Sequence, residues 1–301
     1  MSVPTAFIGI IIIWSTTPLA IKWSGEGSGF LFGVSARMTL GVLLCLAIIS
    51  LFRIKLPWQR SAKLTYISSG LGIYGAMLCV YWGSQFIPSG LIAILFGLTP
   101  VMTGILASIW LNESCLSFHK VLGMLAGLGG LLVIFNTDTD VGGDAIAGIT
   151  AVLISVALHS GSTVAVKKIN AQLPGLVTTT GGLLIAVPAY LATWLIFDGT
   201  VPVTIPDKTM ASIVYLGFVG SALGFILYYY VLKNIEASKI ALVPLVSPVI
   251  ALVIGQRLNG EMIDQQIVYG AAMILSGLLF FQWGGLILGE RKSSQHPDND
   301  S

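Results

Sequence analysis

Apolar residues run along this chain in ten stretches of about 20 positions, separated by short polar segments that contain most of the charges. A helix of about 20 apolar residues is long enough to cross the roughly 30 Å hydrocarbon core of a bilayer. The pattern therefore predicts an all-α membrane protein with ten transmembrane helices. The predicted spans are 4–23, 30–52, 64–86, 89–111, 118–136, 143–166, 174–197, 209–233, 239–257 and 266–288.

The chain also repeats itself. Sliding residues 72–113 by 148 positions places them on 220–261 without a gap, and eight of the 42 positions are then identical. Residues 14–22 lie over 159–167 at a shift of 145, and short matches after residue 120 recur at a shift of 147. Apolar composition raises the number of chance identities, but an unbroken register extended on both sides favours duplication.

Five spans per copy is an odd number, so the second copy must enter the membrane from the opposite side. The sequence thus predicts two inverted five-helix repeats, 1–137 and 138–289, followed by a disordered cytoplasmic tail at 290–301. Inverted repeats are typical of transporters in which a site at the midplane opens to either side in turn.

The positive charges of the loops set the predicted orientation, because cytoplasmic loops are enriched in Lys and Arg. With the N-terminus inside, only Lys22, Lys208 and Arg257 face outward. The inner side then holds eleven: Arg53, Lys55, Arg60, Lys63, Lys120, Lys167, Lys168, Lys233, Lys239, Arg291 and Lys292. Both termini are expected in the cytoplasm.

Composition excludes several other classes of protein. Hydrophobic residues make up 55% of the chain, charged residues 9%, and mean hydropathy is +0.90, so no sizeable soluble domain remains. A net charge of +2 gives no indication of a nucleic-acid partner. The three cysteines have neither metal-binding nor disulfide spacing, and we expect no metal and no cofactor.

Two short motifs suggest enzyme chemistry but lack the structural context for it. Gly70-x-Gly72-x-x-Gly75 has the letters of a dinucleotide fingerprint, yet it lies within a continuous apolar span with no preceding strand. The segment 159–162 (His-Ser-Gly-Ser) has no acidic partner in a neighbouring span. Close helix packing explains the glycines better, and we do not expect an enzyme.

Polar side chains inside a membrane are costly, so they are the default candidates for a binding site. Arg37 either extends outward to the lipid headgroups or faces a central cavity as an anion partner. His159 either bonds to a neighbouring hydroxyl or carbonyl, or takes part in substrate binding or proton transfer. The complete predicted set of substrate-binding residues is Trp14, Thr17, Arg37, Tyr74, Tyr81, Gln85, His159, Ser162, Tyr228 and Tyr229.

Two prolines occupy equivalent positions in the repeats, Pro100 in span four and Pro248 in span nine. Each removes a backbone donor and frees a carbonyl one turn earlier, which kinks a helix. The kinks are explained either by packing alone or by a role in lining the central path and bending during the change of access.

The inversion also suggests two gates. Lys22 and Glu261 both end spans on the outer side, and their repeat mates Lys167 and Glu113 both end spans on the inner side. A Lys22–Glu261 pair would close the outer mouth, and a Lys167–Glu113 pair the inner one. The alternative is four solvated helix ends whose ion pairs contribute less than about 1 kcal/mol each.

In the order of these motifs the chain resembles the drug/metabolite transporter superfamily, specifically its ten-helix EamA-type members. The stretch 14–22 resembles the first-helix pattern, with Ser15 where glycine is usual, and 36–38 (Ala-Arg-Met) the second-helix element. The fourth-helix Pro-Val and following Gly-Glu signature is similar to 99–101 with 111–113, repeated at 247–249 with 259–261. His159 departs from the tryptophan often found at its position.

This resemblance implies a multi-pass carrier of the bacterial inner membrane, often an exporter of amino acids, related metabolites or drugs. We expect small amphipathic metabolites to be moved by alternating access. Proton exchange through His159 and unassisted uniport are both left open, as are a monomer and a homodimer. A lipid or lipid-linked headgroup flippase of the same fold, or a non-transporting membrane sensor, is the alternative.

Overall fold

A computed structural model describes residues 2–111, 118–135, 143–237, 243–261 and 265–287. The described residues form helices and connecting turns without a β-strand, which confirms the all-α prediction. In chain order the helices are α1 (Val3–Gly25), α2 (Phe30–Leu51), α3 (Arg60–Gly83), α4 (Ser89–Phe96), α5 (Thr99–Leu111), α6 (Phe118–Phe135), α7 (Gly143–Ile169), α8 (Gly175–Phe197), α9 (Asp207–Tyr215), a π-helical segment (Leu216–Leu223), α10 (Gly224–Asn234), α11 (Val243–Asn259) and α12 (Gln265–Ile287).

Seven segments of the described chain are long and apolar enough to cross a membrane. They coincide with seven of the predicted spans: Val3–Gly25, Phe30–Leu51, Arg60–Gly83, Ser89–Leu111, Asp144–Ile169, Gly175–Phe197 and Asp207–Asn234. Helices α6, α11 and α12 fall in the other three predicted spans. The count of ten stays a prediction, and so does the cytoplasmic tail at 290–301, which lies outside the described residues.

Large apolar side chains also cover the outside of the bundle. Ile12 is 61% exposed, Leu195 64% and Ile196 74%. A soluble monomer rarely presents contiguous apolar surface on this scale, whereas lipid tails cover it without cost. These exposed apolar side chains therefore fit the membrane environment that the composition predicts.

The fourth predicted span is broken where the sequence predicts a kink. Helix α4 ends at Phe96, and α5 begins at Thr99, so Pro100 lies in the first turn of the second half. Proline cannot donate to the carbonyl oxygen of Phe96, and the Thr99 hydroxyl donates to that oxygen instead, at 2.5 Å. Its counterpart Pro248 lies inside α11, which continues through it.

The eighth span contains an irregularity that the sequence analysis missed. Residues Leu216–Leu223 form a π-helix between α9 and α10. Glycines at 217 and 220 let this segment approach α2 closely: a β-carbon at Gly217 would lie 2.7 Å from Leu40 Cβ. Such π-helical turns are frequent at functional sites because they redirect side chains within a helix.

The helices pair across the two halves of the chain. Helix α1 packs on α10 and α11, and α7 packs on α3 and α5. Helix α2 packs on the π-helical segment, and α8 on α3. The buried core therefore consists of residues from both halves and lies where α1 and α7 meet their partners.

Helices α6 and α12 cross at glycines. A β-carbon at Gly123 would lie 2.4 Å from the carbonyl oxygen of Gly277, and one at Gly130 would lie 2.6 Å from that of Gly270. In contrast, a β-carbon at Gly161 on α7 would meet nothing within 4 Å. Small residues at such crossings let backbones pack closely inside a membrane.

The contrast between these glycines gives a stability prediction. Gly123→Ala should lower the melting temperature in detergent, because the added methyl must push two backbones apart at a cost of about 1–3 kcal/mol. Gly161→Ala should leave the melting temperature unchanged or raise it, since alanine restricts the unfolded chain. Equal melting temperatures for the two variants would show that α6 and α12 do not pack as described.

Candidate functional site

A cavity lies in the buried core between both halves of the chain. Its volume is about 70 Å³, which holds a few water molecules but is well below the roughly 300–1,000 Å³ typical of ligand pockets. As it stands, the cavity is too small for a drug-sized ligand. Its lining residues are Trp14, Thr17, Pro18, Ile21, Arg37, Met77, Val80, Ile92, Ala93, Phe96, His159, Gly220, Phe225 and Ser247.

Arg37 is the charged residue of this lining, and it is only 1% exposed. Its Nε donates to Ser221 Oγ at 3.0 Å, and its Nη1 donates to the hydroxyl of Tyr81 at 3.4 Å. The structure thus resolves the two sequence-based options, because Arg37 faces the cavity and not the headgroups. Arg37 lies about two turns from the start of α2. A charged side chain inside a spanning segment is costly, which makes Arg37 a candidate for a functional role.

The π-helical segment positions Arg37. Ser221 accepts from the guanidinium and donates to the sulfur of Met38 at 3.6 Å. Gly220 faces Nη2 without a side chain, since a β-carbon there would lie 3.4 Å from that nitrogen. The polar end of the cavity is therefore built by α2, α3 and the π-helical segment together.

An aromatic cluster forms a second part of the site. The ring of Trp14 stacks on Tyr228 at 5.2 Å between centroids, with an interplanar angle of 27°. His159 lies edge-on to Trp14 at 5.7 Å and tilted to Tyr228 at 5.3 Å. The Tyr228 hydroxyl bonds to Thr163 Oγ1 at 2.5 Å. The repeat mates Trp14 and His159 thus meet at the centre of the protein.

Six of the ten predicted binding residues are not part of this lining. Tyr81 and Tyr228 contact lining residues directly, and the other four have their contacts elsewhere. Tyr74 bonds through its hydroxyl to Thr193 Oγ1 at 2.7 Å, on the α8 side of α3. Gln85 is exposed, and its side chain donates to the carbonyl of Trp82. Their roles as substrate ligands have no support in the geometry.

Ser162 and Tyr229 are the other two. Ser162 donates to the carbonyl of Ser68 at 2.9 Å and packs against Gly72 in the α3–α7 interface. Tyr229 touches Tyr228 edge-on, at 5.3 Å, and lines a smaller pocket beside Lys167. Neither residue lines the cavity.

Sequence reasoning missed the apolar part of the lining and the serine that holds Arg37. The missed residues that line the cavity include Phe96, Phe225 and Gly220. Apolar side chains in an apolar span give no signal of their own. The cluster Gly217-x-x-Gly220-Ser221 was the available signal, because small residues recur there on the face of the helix that packs on α2.

The proposed outer pair is in contact. Lys22 Nζ lies 3.9 Å from Glu261 Oε1, and it donates to the carbonyl oxygen of Ile87 at 3.4 Å. The Glu261 carboxylate also accepts from the backbone N–H groups of Ser89 and Gly90 at the start of α4. Its side chain is 6% exposed, so this contact differs from a solvated surface pair. A role as a gate stays a prediction.

The inner pair is described in part. Lys167 Nζ donates to the carbonyl oxygens of Leu232 and Ile235 at 2.9 and 2.6 Å. Its predicted partner Glu113 lies outside the described residues. Ile235 is the repeat mate of Ile87, so the two lysines bond to equivalent carbonyls in the two halves.

Comparison with known proteins identifies the chain. The model of the EamA-like transporter family matches residues 2–136 and, separately, residues 146–283. The chain belongs to the EamA-like transporter family. The predicted resemblance is thereby confirmed, and the family and its relatives indicate a transporter and not an enzyme.

Related proteins match over nearly the full chain. The uncharacterized transporter YoaV of Bacillus subtilis is 26% identical over 284 residues, covering 92% of this chain and 96% of the relative. A probable terminal-alkyne amino-acid exporter of Streptantibioticus cattleyicolor is 24% identical, covering 97% and 96%. One crystal structure matches with a TM-score of 0.69 at 18% identity, covering 93% of this chain and 97% of that one, and this likeness concerns the fold alone.

Proposed function

We propose that this EamA protein is a ten-span inner-membrane carrier that moves small amphipathic metabolites by alternating access around the Arg37 cavity. Its two halves, 1–137 and 138–289, are inverted copies. Both termini lie in the cytoplasm, and transport runs outward. The single observation that carries the proposal is the crossing of α6 and α12.

This crossing supports the inversion directly. At the repeat shift of 147, Gly123 corresponds to Gly270 and Gly130 to Gly277. In space Gly123 meets Gly277, and Gly130 meets Gly270. Each glycine therefore contacts the mate of the other, and the order of the contacts requires α6 and α12 to run antiparallel. Equivalent spans that run in opposite directions are the mark of inverted repeats.

The rest of the packing agrees with the same symmetry. Helix α1 packs on spans eight and nine, and its equivalent α7 packs on spans three and four. The lysines that end these two helices bond to the equivalent carbonyls of Ile87 and Ile235. Two separate matches to one family model further support a duplication.

The small volume of the cavity supports alternating access. A volume of about 70 Å³ has no room for a metabolite, so helices must move for a substrate to bind. The Lys22–Glu261 contact ties α1 to the connection after α11, and Glu261 joins that connection to the start of α4. Breaking this set of contacts would release one mouth of the cavity. The fourth span is broken at 97–98, and this break provides a hinge about which the first half of the span, 89–96, can move.

Outward transport of amino acids or related compounds is favoured by the exporter among the relatives. The purified protein in proteoliposomes should support counterflow of such substrates, with an imposed pH gradient deciding between proton exchange and uniport. Flux of fluorescent lipid without flux of soluble compounds would instead show a flippase. Ligand binding without any flux would show a sensor.

A further inference from the structure

We infer that the substrate is an apolar monocarboxylate whose carboxylate binds Arg37, and that a zwitterionic amino acid is the poorer ligand. This inference rests on the proposed function and narrows it to one class of compound.

The first step is the uncompensated charge of Arg37. Its guanidinium is buried, and among the described residues no carboxylate lies within ion-pair distance of it. Its recorded partners are the neutral hydroxyls of Ser221 and Tyr81 and the face of the Tyr81 ring, 5.7 Å from the guanidinium carbon. Buried charges are normally paired, so this cavity attracts an anion.

The second step is the direction of the free donors. Nε donates to Ser221, and one N–H of Nη1 donates to Tyr81 at the long distance of 3.4 Å. Nη2 lies beside Gly220, where there is no side chain to cover it. The Nη1–Nη2 end of the guanidinium is therefore the end that can receive an anion. Two parallel N–H donors match the two oxygens of a carboxylate.

The third step is the character of the remaining wall. Pro18, Ile21, Val80, Ile92, Phe96 and Phe225 line the cavity and are apolar. A substrate that fills this space must have an apolar body attached to its anionic group. Burial of that body excludes water and strengthens the contact with Arg37.

The fourth step concerns a second charge on the substrate. Among the described residues of the lining there is no carboxylate to bind an ammonium group, and the guanidinium would repel one. Aromatic faces can hold cations, but one face of Trp14 is covered by Tyr228. A compound with a carboxylate and no ammonium therefore fits this site better than a zwitterion.

Four compounds of similar shape test the inference with the full-length protein at neutral pH. They are 4-methyl-2-oxopentanoate as the anion, leucine as the zwitterion, leucinamide as the cation and 4-methylpentanamide as the neutral compound. Binding is measured as a rise in melting temperature in detergent, and transport as counterflow in proteoliposomes. The anion should stabilise the protein most and should exchange fastest.

Substitutions link the effect to the proposed contact. Arg37→Gln should weaken binding of the anion about 10- to 100-fold, and Arg37→Lys should weaken it too, because lysine lacks the paired donors. Arg257→Gln at the exposed end of α11 is the matched control and should bind as the unaltered protein does. If Arg37→Gln fails to fold, Gly220→Ala provides the second test. Its methyl group would lie 3.4 Å from Nη2 and should weaken binding of the anion but not binding of the neutral amide.

The outcomes separate this inference from the proposed function. If the anion stabilises the protein but shows no counterflow, the inferred binding of the anion at Arg37 stands and the proposed carrier function is wrong. If leucinamide or 4-methylpentanamide shows counterflow and the anion neither stabilises the protein nor exchanges, the carrier function stands and the inference about the anion is wrong. Equal binding of leucine and the anion, or unchanged anion binding in the Arg37 and Gly220 variants, would also overturn it.

Discussion

Replacing Glu261 with alanine is expected to lower the melting temperature by about 5–10 °C, from a loss of about 2–3 kcal/mol. The carboxylate accepts from Ser89 N at 3.1 Å, Ser89 Oγ at 2.9 Å, Gly90 N at 3.3 Å and Asn259 Nδ2 at 3.0 Å. Helix α4 has Pro88 at its N-cap and no capping side chain of its own. Glu261, from a distant part of the chain, therefore accepts the hydrogen bonds of the backbone N–H groups that begin α4.

The matched control is Glu26, another acidic residue with a lysine partner. Glu26 lies 2.9 Å from Lys208, but both side chains are nearly half exposed. Exposed pairs contribute little because water and salt screen them. Glu26→Ala should leave the melting temperature within about 1–2 °C of the starting value. Equal losses in both variants would contradict the role given to Glu261.

The same variant tests the gate. Without Glu261, Lys22 keeps only the carbonyl of Ile87 among its described partners, and the start of α4 loses the carboxylate that bonds to it. The nearby mouth of the cavity should therefore open more often. A cysteine at Ile21, in a background without Cys45, Cys79 and Cys115, should react faster with an impermeant reagent added outside. An unchanged labelling rate would show that the contact stabilises the fold without gating it.

Thr17→Trp is expected to abolish transport. Thr17 lines the cavity, and an indole ring there would occupy space that a substrate needs even after the cavity expands. The adjacent Thr16 faces the other way, bonds to the Tyr215 hydroxyl at 2.6 Å and lines a separate groove of about 340 Å³. Thr16→Trp has room for its ring in that groove and should retain most of the flux.

Counterflow of the best substrate from the panel measures this pair of variants. Their melting temperatures show whether each one folds. A folded Thr17→Trp protein with normal flux would place the transport path elsewhere. Loss of flux in both variants would show that any large residue on this part of α1 blocks the movement of the helices.

The sequence predicted the contact between Lys22 and Glu261 because the prediction needed only the ends of spans. Apolar runs locate these ends, and the repeat relates one end to another. Charged residues at the ends then have few possible partners. The same reasoning predicted a kink at Pro100, where the fourth span is broken, but it did not predict that α11 continues through the equivalent Pro248.

The direction that each side chain faces was much harder to predict. In a soluble helix one face is polar, so periodicity identifies the buried side. Spans such as α2 and α3 have no separate polar face, because lipid and protein core both accept apolar groups. Tyr74 and Ser162 were therefore placed in the site although they face α8 and α3. The π-helical segment escaped prediction for a related reason, since its small residues are equally common at ordinary helix crossings.

The central claim is that the two halves are inverted, and labelling of two equivalent loops tests it most directly. Glu26 follows α1, and Lys168 lies at the end of α7, its repeat equivalent; both are exposed. Single cysteines at these two positions should react with an impermeant thiol reagent from opposite sides, Glu26→Cys from outside the cell and Lys168→Cys only after the cytoplasmic side is opened. Reaction of both cysteines from the same side would contradict the inverted arrangement and, with it, alternating access between the halves.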